Sequence, residues 1–280
     1  MSMRINHNVL AMTAHRNLWR NQLSMDQAVN RLSSGLRINN AWEDPAGLAV
    51  SEKFRAQIAS MVEAERNANY GINLLATAEG ALSVIDEKLI RLRALAIQAS
   101  NGTLTSLDRS YLDVEFQQLK SEITRIANVT NYNGLQLLDG TYSTGTTGIK
   151  LHIGTYNVSN QDFYYINLAD MTASGLGLGD SVLLTTTANA QSAIDIIDSA
   201  IDTKVTERTR LGSYVERLHK TILNLQVSQE TATSSESQIR DADIASEMSS
   251  FVRSQILMQS GVSMLAQANQ LPAIVSQLIS

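Results

Sequence analysis

Apolar residues recur at helical spacing from the start of the chain. Ala11, Leu18, Met25 and Leu32 come every seven residues. A seven-residue repeat of apolar positions predicts a helix with a coiled-coil-like seam. Residues 36–47 then break the pattern with asparagine, proline and glycine, and we interpret this segment as an irregular linker.

A much longer apolar pattern follows the linker. From about Leu48 to Ser100 the apolar positions advance in steps of three and four residues, and Gly71 and Gly80 do not break the period. At 1.5 Å per residue this predicts one helix about 80 Å long. A compact globule of this chain length has a radius of gyration of about 19 Å. The pattern therefore favours a rod of antiparallel helices.

The middle of the chain has a different character. Thr105 to Asp108 predicts the cap of a third helix, which ends at the turn residues 131–134. Eight of the fifteen glycines then lie between residues 134 and 179, where charges are rare. The runs 149–153 and 163–168 are typical of strands, with a turn at 157–162 between them. We predict a small β-hairpin module here.

Helical spacing returns near Ser192 and persists to Leu225. A polar stretch follows from Ser228 to Ser237, and apolar spacing resumes at Ile244. The predicted fold class is therefore mainly α: an elongated antiparallel helical rod with coiled-coil terminal helices and a small β-hairpin module.

Both ends of the chain carry more apolar surface than one helix pair can cover. Segments 1–33 and 238–280 have apolar stripes, yet a pair of helices buries only one side of each member. Unmatched apolar surface marks an interface, so we expect contacts with other copies of the chain. The candidate polymer-interface residues are Leu18, Met25, Leu32, Met248, Phe251, Met258, Val262 and Leu265.

Composition narrows the class of protein. The chain has no cysteine, which excludes disulfides, thiol nucleophiles and cysteine-ligated metals. Its net charge is −5, and no run of Lys and Arg offers a surface for nucleic acid. The polar first residues do not predict a secretory signal peptide. Residues 254–280 lack charge, but Gln, Asn and Ser recur on nearly every turn, so we expect no membrane span.

No residue pattern predicts catalysis. His7 and His15 lie eight residues apart on one predicted helix but lack a third metal ligand. Asp241, Asp243 and Glu247 form a carboxylate cluster placed to cap a helix start. We expect no catalytic, cofactor-binding or metal residues, no cofactor and no enzymatic activity.

Four short motifs, in order along the chain, resemble those of bacterial flagellin. They are residues 32–39 (LSSGLRIN), 44–51 (DPAGLAVS), 239–243 (IRDAD) and 265–270 (LAQANQ). The resemblance covers about 1–140 and 190–280, and the short middle carries no family motif. It implies a short flagellin that lacks large outer domains.

The resemblance also implies an organisation into domains. Residues 1–43 and 238–280 would form an inner coiled-coil domain from both termini. Residues 44–134 and 190–237 would form a helical shell domain around it. Residues 135–189 would be a β-hairpin and loop insertion of that shell.

The implied function is that of a subunit that polymerises head-to-tail into the tubular filament of the flagellum, for motility. Implied partners are other copies of the chain, the flagellar cap, an export chaperone and junction proteins, after type III export. The implied location is the extracellular filament, with a periplasmic or sheathed flagellum left open. Two alternatives are a hook–filament junction protein and a secreted helical adhesin or effector.

A further implication concerns innate immunity. Residues 89–98 resemble the flagellin segment that a Toll-like receptor reads. Arg91 and Leu95 are spaced to share a helix face, and Glu122 takes the matching position on the neighbouring helix. These three residues are candidates for receptor contact and for packing between subunits. Ala94 stands where related members often have an acidic residue.

Overall fold

Helices dominate the computed structural model of the chain, which describes residues 7–144 and 147–279, and side chains as far as residue 270. In these ranges the helices are α1 (Val9–Ser34), α2 (Pro45–Ser100), α3 (Ser106–Val129), α4 (Thr187–Arg240) and α5 (Ile244–Ile279). The strands are β1 (Asn131–Tyr132), β2 (Leu135–Gln136), β3 (Ile149–His152) and β4 (Phe163–Ile166). The predicted mainly α class with a small β module is confirmed.

The chain divides into two compact units. Unit 1 comprises Met1–Gln57 and Thr231–Ser280, and unit 2 comprises Ile58–Glu230. Unit 1 therefore unites the two ends of the chain, and unit 2 contains the middle. The helices α2 and α4 each contribute residues to both units.

In unit 1, α1 packs antiparallel against α5. The Asn8 side-chain amide donates to the Ala268 carbonyl at 2.8 Å, and the Arg31 guanidinium lies 3.1 Å from the Glu247 carboxylate. Gly35 ends α1 with a φ of +73°, and its N–H donates to the Arg31 carbonyl at 2.8 Å. That left-handed conformation is open to glycine because it has no Cβ.

The two linkers of unit 1 bind each other where these helices end. The Arg37 backbone N–H donates to the Arg240 carbonyl at 2.6 Å, and its guanidinium binds the Ile239 carbonyl at 2.5 Å. The Arg240 guanidinium in turn binds Glu52 at 2.9 Å. Hydrogen bonds from Arg55, and then from Arg240, hold the pKa of Glu52 below its usual value.

A single buried apolar cluster fills unit 2. The helices α2, α3 and α4 supply it at steps of three and four residues, and β3, β4 and the loops around them close it. Burying each Leu or Phe side chain contributes about 1.5–3 kcal/mol. The largest fully buried side chains are Leu75, Leu82, Ile85, Leu89, Leu92, Leu95, Phe116, Ile123, Leu137, Leu138, Ile166 and Leu168.

The turn from α2 to α3 is fixed by side chains that satisfy helix ends. The Thr105 N–H donates to the Asp108 carboxylate at 2.9 Å, and the Asp108 N–H returns a bond to the Thr105 hydroxyl. The sequence predicts a helix cap here, and the structure shows that it is a reciprocal capping box. The buried Arg109 guanidinium donates to the carbonyls of Ala99, in the last turn of α2, and of Asn101, just beyond it.

Both β-hairpins are antiparallel. Asn133 and Gly134 join β1 to β2 with φ values of +50° and +82°, as a two-residue type I′ turn requires. In the second hairpin, Ile149 pairs with Ile166 and His152 with Phe163. The strands β3 and β4 end one and two residues earlier than the sequence predicts.

The helix α4 differs from the sequence prediction at both ends. It begins at Thr187 rather than near Ser192, and it continues unbroken through the polar stretch 228–237 to Arg240. That stretch contains no glycine or proline, and Ala232 within it is buried, so a polar composition alone does not end the helix. The break falls instead at residues 241–243.

Candidate assembly surface

The seam between α1 and α5 follows a strict alternation of three and four residues. The residues at this spacing are buried or half-buried, and they pack the two helices together. Such spacing is the pattern of a coiled coil. The seam residues are Ala11, Ala14, Leu18, Asn21, Met25, Ala28 and Leu32 on α1, and Glu247, Phe251, Ser254, Met258, Gly261, Leu265 and Ala268 on α5.

Near the middle of the seam, the Leu18 side chain of α1 lies against the backbone of Gly261 on α5. A Cβ atom on Gly261 would lie 2.7 Å from Leu18 Cδ2, so glycine is the residue that leaves room for this leucine. The fully buried positions of the seam are small as well, namely Ala28, Ser254 and Ala268. Small buried side chains remove little apolar area from water, and the larger seam residues are only half-buried, so the pair alone is weakly stabilised.

Six of the eight predicted polymer-interface residues lie at these seam positions. The sequence predicted all eight as contacts between copies, whereas the structure places six of them against the other terminal helix of the same chain. The other two, Met248 and Val262, are exposed on α5. The six half-buried members are Leu18, Met25, Leu32, Phe251, Met258 and Leu265.

Both helices also expose many apolar side chains away from the seam. Trp19 is 61% exposed and Val262 is 56% exposed, although both are large and apolar. We call this set the outer apolar face. It comprises Val9, Leu10, Met12, Trp19, Leu23 and Val29 on α1, and Ile244, Met248, Val252, Ile256, Leu257, Val262 and Met264 on α5.

Sequence reasoning missed most of the outer apolar face. One signal was available: residues 254–270 lack charge, although the seam uses only about two positions in every seven. The remaining apolar positions had to face elsewhere. Exposed apolar surface on this scale is typical of an interaction site.

The predicted receptor residues of unit 2 do not form one surface. Arg91 is exposed and binds Glu115 at 2.7 Å, rather than Glu122. Glu122 binds Arg125 at 2.7 Å on its own helix, and this hydrogen bond holds the pKa of Glu122 below its usual value. Leu95 is fully buried in the core.

The expectation for Leu95 therefore needs correction. Residues four apart on a helix are rotated by about 40° from each other. Here that rotation is enough to carry Leu95 from the exposed row of Arg91 into the buried row of Leu92 and Ala99. A partner that binds the surface of this folded unit cannot contact its side chain.

Buried charges in unit 2 have structural partners. The Lys120 ammonium donates to the Gly179 carbonyl at 2.7 Å and to Gln117 Oε1 at 3.0 Å, and its burial lowers the pKa of the lysine. Lys204, also buried, pairs with Asp86. These lysines hold a loop and a helix in place.

The described residues form no cluster suited to a metal ion. None of their His, Asp and Glu side chains group in threes that could hold a metal ion. A shallow groove of about 310 Å³ lies between the β3–β4 turn and α4, where Asp162 accepts hydrogen bonds from the loop's own backbone. Within the described helices, none has a stretch long and apolar enough to cross a membrane.

Comparison with known proteins identifies the family. Residues 5–143 match the bacterial flagellin N-terminal helical region, and residues 194–279 match the bacterial flagellin C-terminal helical region. The chain is 45% identical to a flagellin of Halalkalibacterium halodurans over 98% of its own length and 99% of that protein. It is 41% identical to the flagellar filament 33 kDa core protein of Treponema phagedenis, with the same coverage of both chains.

A solved structure shares the fold at much lower identity. It is a chain from Vibrio parahaemolyticus provisionally described as a flagellar hook-associated protein. Its TM-score is 0.58 and its identity 16%, over 71% of this chain and all of that one. This likeness concerns the fold alone.

A helical chain whose paired terminal helices expose many apolar side chains fits a structural protein that binds other protein surfaces. The matches to the N-terminal and C-terminal helical regions of flagellin make the family assignment specific. The chain belongs to the bacterial flagellin family, and it is a short flagellin, the structural subunit of a flagellar filament.

Proposed function

We propose that this flagellin polymerises through its outer apolar face, in contact with other copies of the same chain. The exposed Trp19 and Val262 would be buried between neighbouring subunits. Contacts between non-identical patches on successive copies generate an open helical filament when the rotation between copies does not close into a ring. The observation that carries the proposal is the exposure of thirteen large apolar side chains on two helices.

The weak seam supports the same proposal. The α1–α5 pair buries only small residues and leaves its larger seam residues half-buried. The free energy gained by pairing therefore offsets little of the conformational entropy lost when the two helices become ordered. Contacts with further copies would supply the remaining stabilisation. We therefore expect the terminal helices to be poorly ordered in the free subunit and ordered in the filament.

The alternatives explain less. A hook–filament junction protein has the same kind of fold, but identity to that class of structure is only 16%, against 45% to a flagellin over nearly the whole chain. A monomeric adhesin or effector would have no use for the uncharged apolar side chains that α5 exposes.

Other parts of the proposal follow from family membership. They are export through the type III apparatus, contact with a chaperone, cap and junction proteins, and a place in the extracellular filament. A sheathed or periplasmic filament stays compatible with the relative from Treponema. Receptor recognition would use Arg91, which is exposed on α2, and Glu122, which is half-buried on α3.

The decisive experiment changes one exposed side chain. Seeded elongation of purified subunits is followed by light scattering and negative-stain electron microscopy. Val262→Glu is expected to raise the critical concentration at least tenfold, because an unpaired carboxylate in an apolar contact costs several kcal/mol. The matched control, Val262→Leu, keeps the apolar surface and is expected to elongate like the wild type.

Circular dichroism of both variants as free subunits should match that of the wild type, and this match excludes a folding defect as the cause. Equal elongation by Val262→Glu and Val262→Leu would contradict the proposed interface. Failure of the wild type to elongate from seeds would favour the junction protein.

A further inference from the structure

The chain contains two Asn-Gly pairs, and both lie in exposed turns of unit 2. Asn101–Gly102 follows the last residue of α2, and Asn133–Gly134 joins β1 to β2. A glycine leaves its own backbone nitrogen open to the preceding side chain, because it has no Cβ to shield it. Asparagine is also among the thermolabile residues of proteins. Both pairs are therefore candidates for a reaction between an asparagine amide and its own backbone.

The two turns hold their asparagines differently. Asn133 has a φ of +50° and lies between two strands whose pairing restrains the backbone on either side of it. Asn101 lies outside the helices and strands, and its side-chain Oδ1 accepts the backbone N–H of Thr103 at 3.3 Å. This hydrogen bond to the residue two places on is an Asx turn, and it folds the Asn101 amide over the peptide of Gly102.

The hydrogen bond from Thr103 also favours attack on the Asn101 amide carbon. When the Gly102 nitrogen adds to Asn101 Cγ, negative charge develops on Oδ1. The Thr103 N–H already donates to that oxygen, and a donor placed where charge develops lowers the barrier. Both Asn101 and Gly102 are exposed, so hydroxide can remove the proton from the attacking nitrogen and water can reach the product.

We propose that Asn101 modifies itself. Its amide cyclises onto the backbone nitrogen of Gly102 to give a succinimide, which water opens to aspartate and isoaspartate, and the isoaspartate form destabilises unit 2. The reaction needs only the turn between α2 and α3, so it is independent of the proposed polymer contact. Asn133 reacts more slowly, because its hairpin resists the backbone rotation that ring closure requires.

The reaction consumes one water and releases one ammonia. The Gly102 nitrogen loses its proton to hydroxide and bonds to Asn101 Cγ, the Cγ–Nδ2 bond breaks, and the amide nitrogen leaves as ammonia with a proton from water. Water then adds to one of the two ring carbonyls. Opening at Cγ gives aspartate, and opening at the backbone carbonyl gives isoaspartate. No atom is oxidised or reduced, and either product carries a new carboxylate.

Isoaspartate would disturb the contacts that close this turn. The Asn101 carbonyl accepts the Leu104 N–H at 3.4 Å and the Arg109 guanidinium at 2.9 Å. Isoaspartate adds one backbone carbon between residue 101 and both of these donors, so the loops that the two bonds close change in length. Arg109 is buried, and a buried guanidinium that loses an acceptor costs free energy. We therefore expect the isoaspartate form of unit 2 to unfold at a lower temperature.

The experiment incubates the full-length free subunit in mildly alkaline buffer and follows both Asn-Gly pairs by peptide mass spectrometry. Synthetic peptides of residues 98–105 and 130–137 give the rates without the fold. Asn101 is expected to react at least as fast in the protein as in its peptide, whereas Asn133 should react several-fold more slowly in the protein than in its own. Several-fold protection of Asn101 by the fold would overturn the proposal.

The variant Gly102→Ala tests the route. Around Gly102 no atom lies within 4 Å of an added Cβ, so alanine fits the turn. The Cβ hinders the attacking nitrogen, and conversion of Asn101 should slow several-fold while Asn133 reacts as in the wild type. Conversion at the wild-type rate would point to direct hydrolysis and contradict cyclisation. If this variant does not fold, the wild-type products decide, because direct hydrolysis yields aspartate without isoaspartate.

Thermal unfolding tests the consequence. Wild type aged until residue 101 is largely isoaspartate is expected to melt several degrees below fresh protein. The matched control is Asn101→Gln, which keeps an amide but closes only a less favourable six-membered ring, and its melting temperature should not change on ageing. Aged wild type that melts like fresh protein, or a control that loses as much stability, would contradict the destabilisation of unit 2 by this site.

Discussion

Asp162 organises the turn between β3 and β4 at the scale of a single residue. Its carboxylate accepts the N–H of Val158 at 2.9 Å and of Tyr156 at 3.1 Å, while its carbonyl accepts those of Ile153 and Gly154. The hydrogen bond from Val158 holds the pKa of Asp162 below its usual value, against the opposing effect of burial. The ionised form is the one that fits the turn.

This gives a prediction about pH. A carboxyl whose pKa is lower in the folded protein adds stability above its unfolded value, about 3.9, and loses that contribution as pH falls through the folded pKa. The difference in melting temperature between wild type and Asp162→Asn should therefore be largest above about pH 5 and shrink towards pH 3. A difference that stays constant over this range would show that ionisation plays no part.

Two glycines of α2 show how the same residue type acts differently along one element. A Cβ on Gly71 would lie 2.7 Å from Leu151 Cδ1 and 3.3 Å from Leu218 Cδ1, so this glycine lets β3 and α4 pack against the helix. Around Gly80 no atom lies within 4 Å of such a Cβ. Only the first glycine has a packing role.

Alanine substitutions at these two positions should act in opposite directions. Gly80→Ala is expected to raise the free energy of unfolding by about 0.5–1 kcal/mol, because alanine is the better helix former. Gly71→Ala is expected to lower it by about 1 kcal/mol, because overpacking exceeds that gain. Urea unfolding of both variants measures the contrast, and equal stabilisation by both would refute the packing role of Gly71.

Element boundaries set by local chemistry could be predicted from the sequence. The helix cap at Thr105 and the turn at Asn133 each depend on a few neighbouring residues, and both are confirmed; the structure adds that they are a capping box and a type I′ turn. The course of α4 through residues 228–237 could not be read from hydrophobic spacing, because this stretch buries Ala232 and half-buries polar side chains instead of presenting large apolar residues. Nor could the burial of Leu95, which depends on the rotation of α2 against its neighbours.

The candidate site was predictable only in part, for a related reason. Heptad spacing identifies which residues meet across a helix pair, and it identified Leu18 and Phe251 correctly as apolar stripe residues. It does not distinguish a stripe that closes the pair from one that faces other copies. That distinction depends on exposure, which only the packed helices reveal.

At the scale of the whole molecule, the two units differ in how they are stabilised. Unit 2 contains the entire buried apolar cluster, from Ala68 to Leu218. The pairing of α1 with α5 in unit 1 buries mainly small side chains along a narrow seam. Stability should therefore reside mainly in unit 2.

A fragment of residues 58–230 is expected to fold by itself. It should show a helical circular dichroism spectrum and a cooperative thermal transition, because it keeps the complete core and the capped turn at Thr105. It should not elongate filament seeds, since it lacks α1 and α5. A fragment that melts without cooperativity would mean that the core needs unit 1.

The hydrogen bond from Asn8 to Ala268 joins residues 260 positions apart. Closing a loop of that length costs more chain entropy than forming the hairpin of α2 and α3, whose Arg109 contact spans ten residues. Contacts of long sequence separation form slowly. We therefore expect the α2–α3 hairpin to form first and the α1–α5 pair to form last. A chain being synthesised cannot complete unit 1 until α5 exists, and until then α1 lacks the helix against which it packs.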